Sequence, residues 1–385
     1  MPQKQSRAAA TIGVYVQVPF CQTKCTYCNF HTGVFSRSMY TPYVDAVCRE
    51  IAASVELRDA RVDTVYVGGG TPSLLQPAGL ARIVTAICEN SRCAWEEVTL
   101  EADPETITAE KASAWRSAGV NRISMGVQSF DDIELRAAGR MHRRDDVYRA
   151  NGSLRGAGFD NVSMDLIAGL AHQTRRSWGS SLNELAAFRP EHVSVYLLEV
   201  DEGSRLGNEI LTGGKKYSAG EVPGDDEMAA FYQQACETLA QAGYEHYEIS
   251  NWALPGRASK HNLKYWRRDA YLGFGAGAHS FDGAKRCSNV HDPAAYTAAI
   301  EQGKSPVEQE EVVGPAQALN EEFFLGLREL AGIDLARIEQ EYGAELSPRV
   351  ARLISDGLLE REGNRIRLNA EKLAISNEAF VELMD

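Results

Sequence analysis

Over the first two hundred residues, short runs rich in β-branched residues alternate with longer segments whose apolar positions recur every three to four residues. The runs 14–20, 64–68, 98–102, 122–127, 162–167 and 192–200 predict strands. The segments 43–57, 77–88, 109–117, 145–157 and 177–187 predict the helices between them. Such alternation implies an α/β fold, a parallel sheet covered by helices, and function in such sheets collects at the carboxyl ends of the strands. From about residue 315 the pattern changes to helices at 316–330, 335–342 and 348–357. A hairpin at 359–368 follows, with Gly363-Asn364 as its turn. Three helices and a wing predict a winged-helix-like α+β domain. The chain is expected to divide into a disordered tail (1–12), an α/β core (13–205), an extension (206–305) and the C-terminal domain (306–385).

Charge narrows the range of partners. The net charge of −13 opposes a nucleic-acid partner held by phosphate neutralisation. Residues 310–385 carry a net −8, so the wing is not expected to read DNA and serves as a cap or docking surface. No run approaches the roughly 18 apolar residues that span a bilayer. Residues 1–10 are basic but precede no apolar core, which predicts a frayed tail and not a secretion signal. Cys48, Cys88, Cys93, Cys236 and Cys287 show no repeating frame, so no disulfide scaffold is expected. A reducing, cytoplasmic compartment follows.

Cys21, Cys25 and Cys28 form a C-x3-C-x2-C run directly after the first strand. Three thiolates are one fewer than a simple ferredoxin cluster uses, and a structural zinc site needs four ligands, which only His31 could complete. The spacing, followed by an aromatic residue, resembles that of the radical S-adenosylmethionine (SAM) proteins. The resemblance implies a partial (β/α)6 barrel and a [4Fe–4S] cluster with one iron left open for the amino and carboxylate groups of SAM.

After the second strand, Gly68-Gly69-Gly70-Thr71-Pro72 lets backbone approach a ligand closely. No Gly-Lys-Ser/Thr follows, so it is not a P-loop. Glu101, Gln128 and Asp165 fall on successive strands, where buried polar groups are costly unless partnered. A ribose diol would partner them, and Arg140 suits a carboxylate or a structural salt bridge.

Tyr15, Tyr27, Gly70, Thr71, Glu101, Gln128, Arg140 and Asp165 match the SAM-binding positions of oxygen-independent coproporphyrinogen III oxidases and the related HemW-type haem chaperones. The resemblance runs from about Gly13 to the C-terminus. The oxidases carry a further cysteine two positions after the third, where this chain has Phe30, and a longer N-terminal segment. Lys260-His261-Asn262-Leu263-Lys264-Tyr265-Trp266 contains His-Asn-x-x-Tyr-Trp, which resembles the haem-binding motif of the chaperone branch and implies His261 as a haem ligand. His246 and His279 are candidate second ligands. The family proline after strand five is Ala171 here. The resemblance thus implies SAM, cluster and haem as cofactors and a haem-accepting protein as partner. An electron donor of the flavodoxin or ferredoxin type is a further expected partner. Oxidative decarboxylation of coproporphyrinogen III is the rival activity, and a zinc-stapled winged-helix binder is a third reading.

Overall fold

The computed structural model describes residues 11–343 and 345–384. Six parallel strands lie side by side in chain order: β1 (Thr11–Val18), β2 (Arg61–Gly69), β3 (Arg92–Ala102), β4 (Arg122–Gln128), β5 (Val162–Ala168) and β6 (His192–Leu197). The helices Tyr40–Ala53, Pro77–Glu89, Ala109–Ser117, Arg144–Gly156 and Arg175–Phe188 connect them. Of the expected tail, residues 1–10 lie outside the described residues, whereas Thr11 and Ile12 open β1 and pair with Arg61 and Val62.

The strands are two-faced. Val65 and Val67, Val98 and Leu100, and Ile123 and Met125 are fully buried on one face. The alternate positions are polar: Thr64 and Tyr66, Thr99 and Glu101, Arg122 and Ser124, Ser163 and Asp165, His192 and Ser194. Because strand side chains alternate, one face of the curved sheet packs on helices and the other makes a polar interior. That interior is a polar-walled space on the concave face.

Several strand and helix ends differ from expectation. β3 begins six residues early, at Arg92, because its first residues pair with Arg61 and Val62 before the register shifts. β6 stops at Leu197, not 200. The helix expected over 43–57 is interrupted at Ser54, whose extended backbone ends one helix and whose side chain caps the next, Val55–Arg58. The helix expected to run to 330 ends at Gly326. Cys88 and Cys93 are joined as a local disulfide between residues five apart.

The segment 206–312 extends the same sheet at both edges, so the strand Val307–Val312 belongs to the large sheet and not to the small C-terminal one. β7 (Glu245–Glu248) and β8 (Asn251–Ala253) add antiparallel to β6, and β9 (Tyr271–Phe274) adds parallel to β1. β10 (His279–Phe281), β11 (Lys285–Asn289) and β12 (Val307–Val312) continue from β9 to make twelve strands. The helix Asp225–Gln241 is held against Arg175–Phe188, with Trp178 Nε1 donating to the Phe231 carbonyl at 2.8 Å.

The C-terminal part carries helices Pro315–Gly326, Leu335–Tyr342 and Ser347–Ser355. Its small sheet is β13 (Ile333–Asp334), β14 (Leu359–Glu362) and β15 (Arg365–Leu368), with β15 central. It is fastened to the large sheet by buried ion pairs, Arg268 to Glu321 at 3.0 Å and to Glu322 at 3.4 Å. Backbone bonds from Ile249 to Arg328 (3.1 Å) and from Leu330 to Tyr247 (3.0 Å) add to the seam. No helix among the described residues is long and apolar enough to cross a membrane.

Candidate functional site

A cavity of about 570 Å³ opens at the carboxyl ends of the strands and runs down their polar face. Ten of the twelve expected site residues line it: Cys21, Cys25, Cys28, Tyr27, Gly70, Thr71, Glu101, Gln128, Arg140 and Asp165. Tyr15 stands behind, its ring stacked on that of Tyr66 at 6.1 Å, and His261 lies beneath the floor.

The three-cysteine loop is anchored by Phe20, fully buried and stacked on Tyr40 at 4.2 Å. Cys21 N donates to Gly33 O at 2.8 Å and Thr26 N to Ala138 O at 3.0 Å, tying both arms of the loop to the body. The three thiols are free and partly exposed. Gly70 passes so close that a Cβ there would stand 2.6 Å from the Phe20 carbonyl oxygen and 2.9 Å from Cys21 Sγ, so only glycine fits. Burial pushes the Cys21 thiol up to about 11, so metal binding there must displace a proton.

The zinc alternative is not assembled. His31 is exposed, with its ring against that of His291 at 4.2 Å. Among the described residues no group of three or more His, Cys, Asp or Glu is set to hold a single metal ion. Three free thiols on one loop at the cavity rim would suit a cluster that leaves one iron open.

Beyond the loop, Glu101 accepts from Tyr66 Oη at 2.8 Å and from the Gly69 amide at 2.9 Å. Burial raises its carboxyl to about 7. Asp165 accepts from Ser124 Oγ and Ser163 Oγ, each at 3.2 Å, and burial raises it too. Gln128 takes a left-handed backbone (φ 64°) that ends β4 at the cavity. Arg140 is ion-paired with Asp103, donates to the Gly126 carbonyl at 2.9 Å and reaches Cys25 Sγ at 3.6 Å. Its charge is thus already shared with Asp103, and Thr71 Oγ1 donates to the other Asp103 oxygen at 2.9 Å. Asp103, Tyr66, Arg122 and His192 were not singled out from sequence; the two-residue alternation within β2, β3, β4 and β6 is the signal that marks the last three.

His261 is 1% exposed. Nδ1 is bonded to Thr64 Oγ1 at 2.9 Å and Nε2 to Tyr265 Oη at 2.8 Å, so neither nitrogen is presented to the cavity. Burial lowers it to about 3, which keeps the ring neutral. Its neighbour Asn262 does line the cavity. His246 is stacked on Trp252 at 4.0 Å and bonded to the Ile249 carbonyl, whereas His279 is exposed.

Glu101 gives a signed expectation. A carboxyl raised from 4.5 to about 7 contributes stability that is full below pH 4.5 and lost as pH rises through 7. Glu101→Gln is therefore expected to be progressively more stable than the wild type between pH 5 and 8, by at most about 3 kcal/mol. The same variant is expected to bind SAM more weakly. Chemical denaturation at both pH values and SAM dialysis check the pair; a variant less stable at pH 8 than at pH 5, relative to wild type, contradicts it.

Residues 15–185 match the family model described as the radical SAM superfamily, and residues 313–371 match the HemN C-terminal domain. The chain is 32% identical over 95% of its length to a protein of Bacillus subtilis named Heme chaperone HemW, covering 97% of that protein. A protein of the same name from Synechocystis is 37% identical over 89% of this chain and 84% of its own length. Among solved structures, coproporphyrinogen III oxidase (HemN) from Escherichia coli superposes with a TM-score of 0.81 at 22% identity, over 97% of this chain and 89% of that one. The oxidase likeness establishes the shared fold. With a three-cysteine loop and a polar strand face of that pattern, and with near end-to-end identity above 30%, the chain belongs to the HemW family of the radical SAM superfamily.

Proposed function

We propose that this protein is a haem chaperone: it holds a [4Fe–4S] cluster and SAM at one end of the cavity, binds haem, and passes haem to an acceptor. The observation that carries the reading is identity of 32–37% along most of the chain with proteins named Heme chaperone HemW. The cysteine set agrees, since Phe30 stands where the oxidases have a further cysteine and is 67% exposed at the cavity mouth.

In this reading Cys21, Cys25 and Cys28 anchor the cluster, which when bound supplies an open iron for SAM and a one-electron source. Gly70 and Thr71 bring backbone to the methionyl end of SAM. Glu101 and Asp165, already oriented by Tyr66, Ser124 and Ser163, accept from the ribose hydroxyls, and Gln128 closes the nucleoside end. Arg140 holds Asp103 and Cys25 together, which fixes the loop against β4. Ligation of haem iron by His261 requires release of Tyr265 from Nε2, because that nitrogen has one lone pair or one hydrogen to offer. An electron donor of the flavodoxin or ferredoxin type and a haem-accepting protein complete the scheme.

The test is a haemin titration of the reconstituted protein beside a coproporphyrinogen turnover assay. About one haem per chain, transferable to an apo-haemoprotein, with no turnover, is the expected result. Conversion of coproporphyrinogen to protoporphyrinogen under reducing, SAM-replete, anaerobic conditions, without haem uptake, overturns it in favour of the oxidase.

A further inference from the structure

Arg122 opens β4 on the polar face of the sheet and lines the cavity, yet it is 1% exposed. No ion pair satisfies it among the described residues. Its one hydrogen bond, from a terminal nitrogen to Thr99 Oγ1, is 3.5 Å long, and its Nε has no partner. The other deeply placed arginines of this chain are paired, Arg268 with Glu321 and Glu322 and Arg140 with Asp103.

Two carboxylates act on Arg122 from beyond ion-pair distance, and both make other hydrogen bonds. Glu97 accepts from the amides of Lys260 and His261, both at 3.1 Å, at the start of the helix Lys260–Trp266. Asp165 accepts from two serines. A second guanidinium, Arg328, lines the same cavity over the Trp266 ring at 4.5 Å; its Nε also lacks a hydrogen bond and stands 3.9 Å from Glu248. Glu97 and Asp165 support the Arg122 charge from beyond ion-pair distance, but among the described residues no acceptor takes its Nε–H. An anion entering the cavity would take those open donors, and a planar fork of N–H donors matches a carboxylate.

We propose that Arg122 is a carboxylate-binding residue that receives a propionate of haem in the inner part of the cavity. The inference rests on the haem-carrier reading for the source of the carboxylate, and on the geometry alone for its chemistry. SAM is the other carboxylate available, but its methionyl end belongs at the cysteine loop. Arg122 stands about 20 Å along β4 from the carboxyl end of that strand, the end at which the cysteine loop lies.

The experiment compares haemin with haemin dimethyl ester by Soret titration of the wild type, Arg122→Met and Arg122→Lys. The wild type is expected to bind the diacid at least tenfold more tightly than the ester. Arg122→Met should lose that preference by weakening haemin alone, Arg122→Lys should keep part of it, and SAM affinity should stay within twofold. Retained preference in Arg122→Met overturns the proposal, and so does weakened SAM binding with unchanged haemin binding, which assigns the site to the methionyl carboxylate. If the wild type binds neither porphyrin, the haem-carrier reading fails by itself. Sodium propionate against sodium chloride at equal ionic strength then decides the site: propionate should raise the wild-type melting temperature but not that of Arg122→Met, and no difference in the wild type overturns it. Should Arg122→Met not fold, Arg122→Lys carries every comparison.

Discussion

Replacing Cys21, Cys25 or Cys28 singly by Ala is expected to abolish the brown absorbance and the bound iron and sulfide of the anaerobically reconstituted protein. Replacing Cys48, Cys236 or Cys287 should leave them intact. The reason is geometric. The first three thiols lie on one loop at the cavity rim, whereas the others are scattered over the body of the fold. Three thiolates are the fewest that anchor a cube while leaving one iron open, so loss of one removes an entire corner of the site. The fold should persist, because the loop is held by Phe20 and by backbone bonds of Cys21 and Thr26 that no thiol makes. Iron and sulfide analysis with far-UV circular dichroism reads both halves of this expectation, and a cluster that survives loss of Cys25 refutes the assignment.

His261→Ala should have the second-largest effect, and on two quantities at once. Removing the buried ring orphans the Thr64 and Tyr265 hydroxyls and leaves a void beneath Tyr66, whose ring lies 5.3 Å away. A loss on the order of 2–4 kcal/mol of stability follows. The same variant should shift or abolish the Soret band of bound haem. Added imidazole, which refits the void, should restore the band if ligation and not folding was lost. Tyr265→Phe should strengthen haem uptake by freeing Nε2. The depressed titration adds a signed check: a ring lowered from 6.5 to about 3 contributes stability above pH 6.5 that is lost as pH falls toward 3, and His261→Ala should lack that slope. A Soret band indifferent to His261 would move the iron ligand elsewhere, with exposed His279 the next candidate.

The order of β1 to β6 and the side of the sheet that carries the chemistry were legible in the chain. Strand periodicity and loop spacing are local properties, and three closely spaced cysteines announce their chemistry along the chain itself. The C-terminal hairpin was legible for the same reason, since Gly363 takes the left-handed backbone (φ 61°) that its turn needs. The polar interior was only half visible. Glu101 and Asp165 stood out as charges among apolar residues, but Arg122 and His192, at the first positions of their strands, read as strand edges until the curved sheet turned them inward.

What no local pattern encodes is which partner a side chain finds across the fold. The Arg140–Asp103 pair joins residues 37 positions apart, and His261 meets Thr64 across 197. The helix Lys260–Trp266 carries the motif whose resemblance implies an imidazole for haem iron. The tertiary structure instead lays it under the barrel floor, where Glu97 binds its first amides and two hydroxyls take both nitrogens of the ring. Sequence by itself therefore determined the elements, the cluster loop and the family pattern, because these depend on spacing along the chain. Tertiary structure decided which of the marked residues face the cavity, which are locked in hydrogen bonds, and which buried donors are left without an acceptor, because burial and pairing are set by residues far apart in the chain.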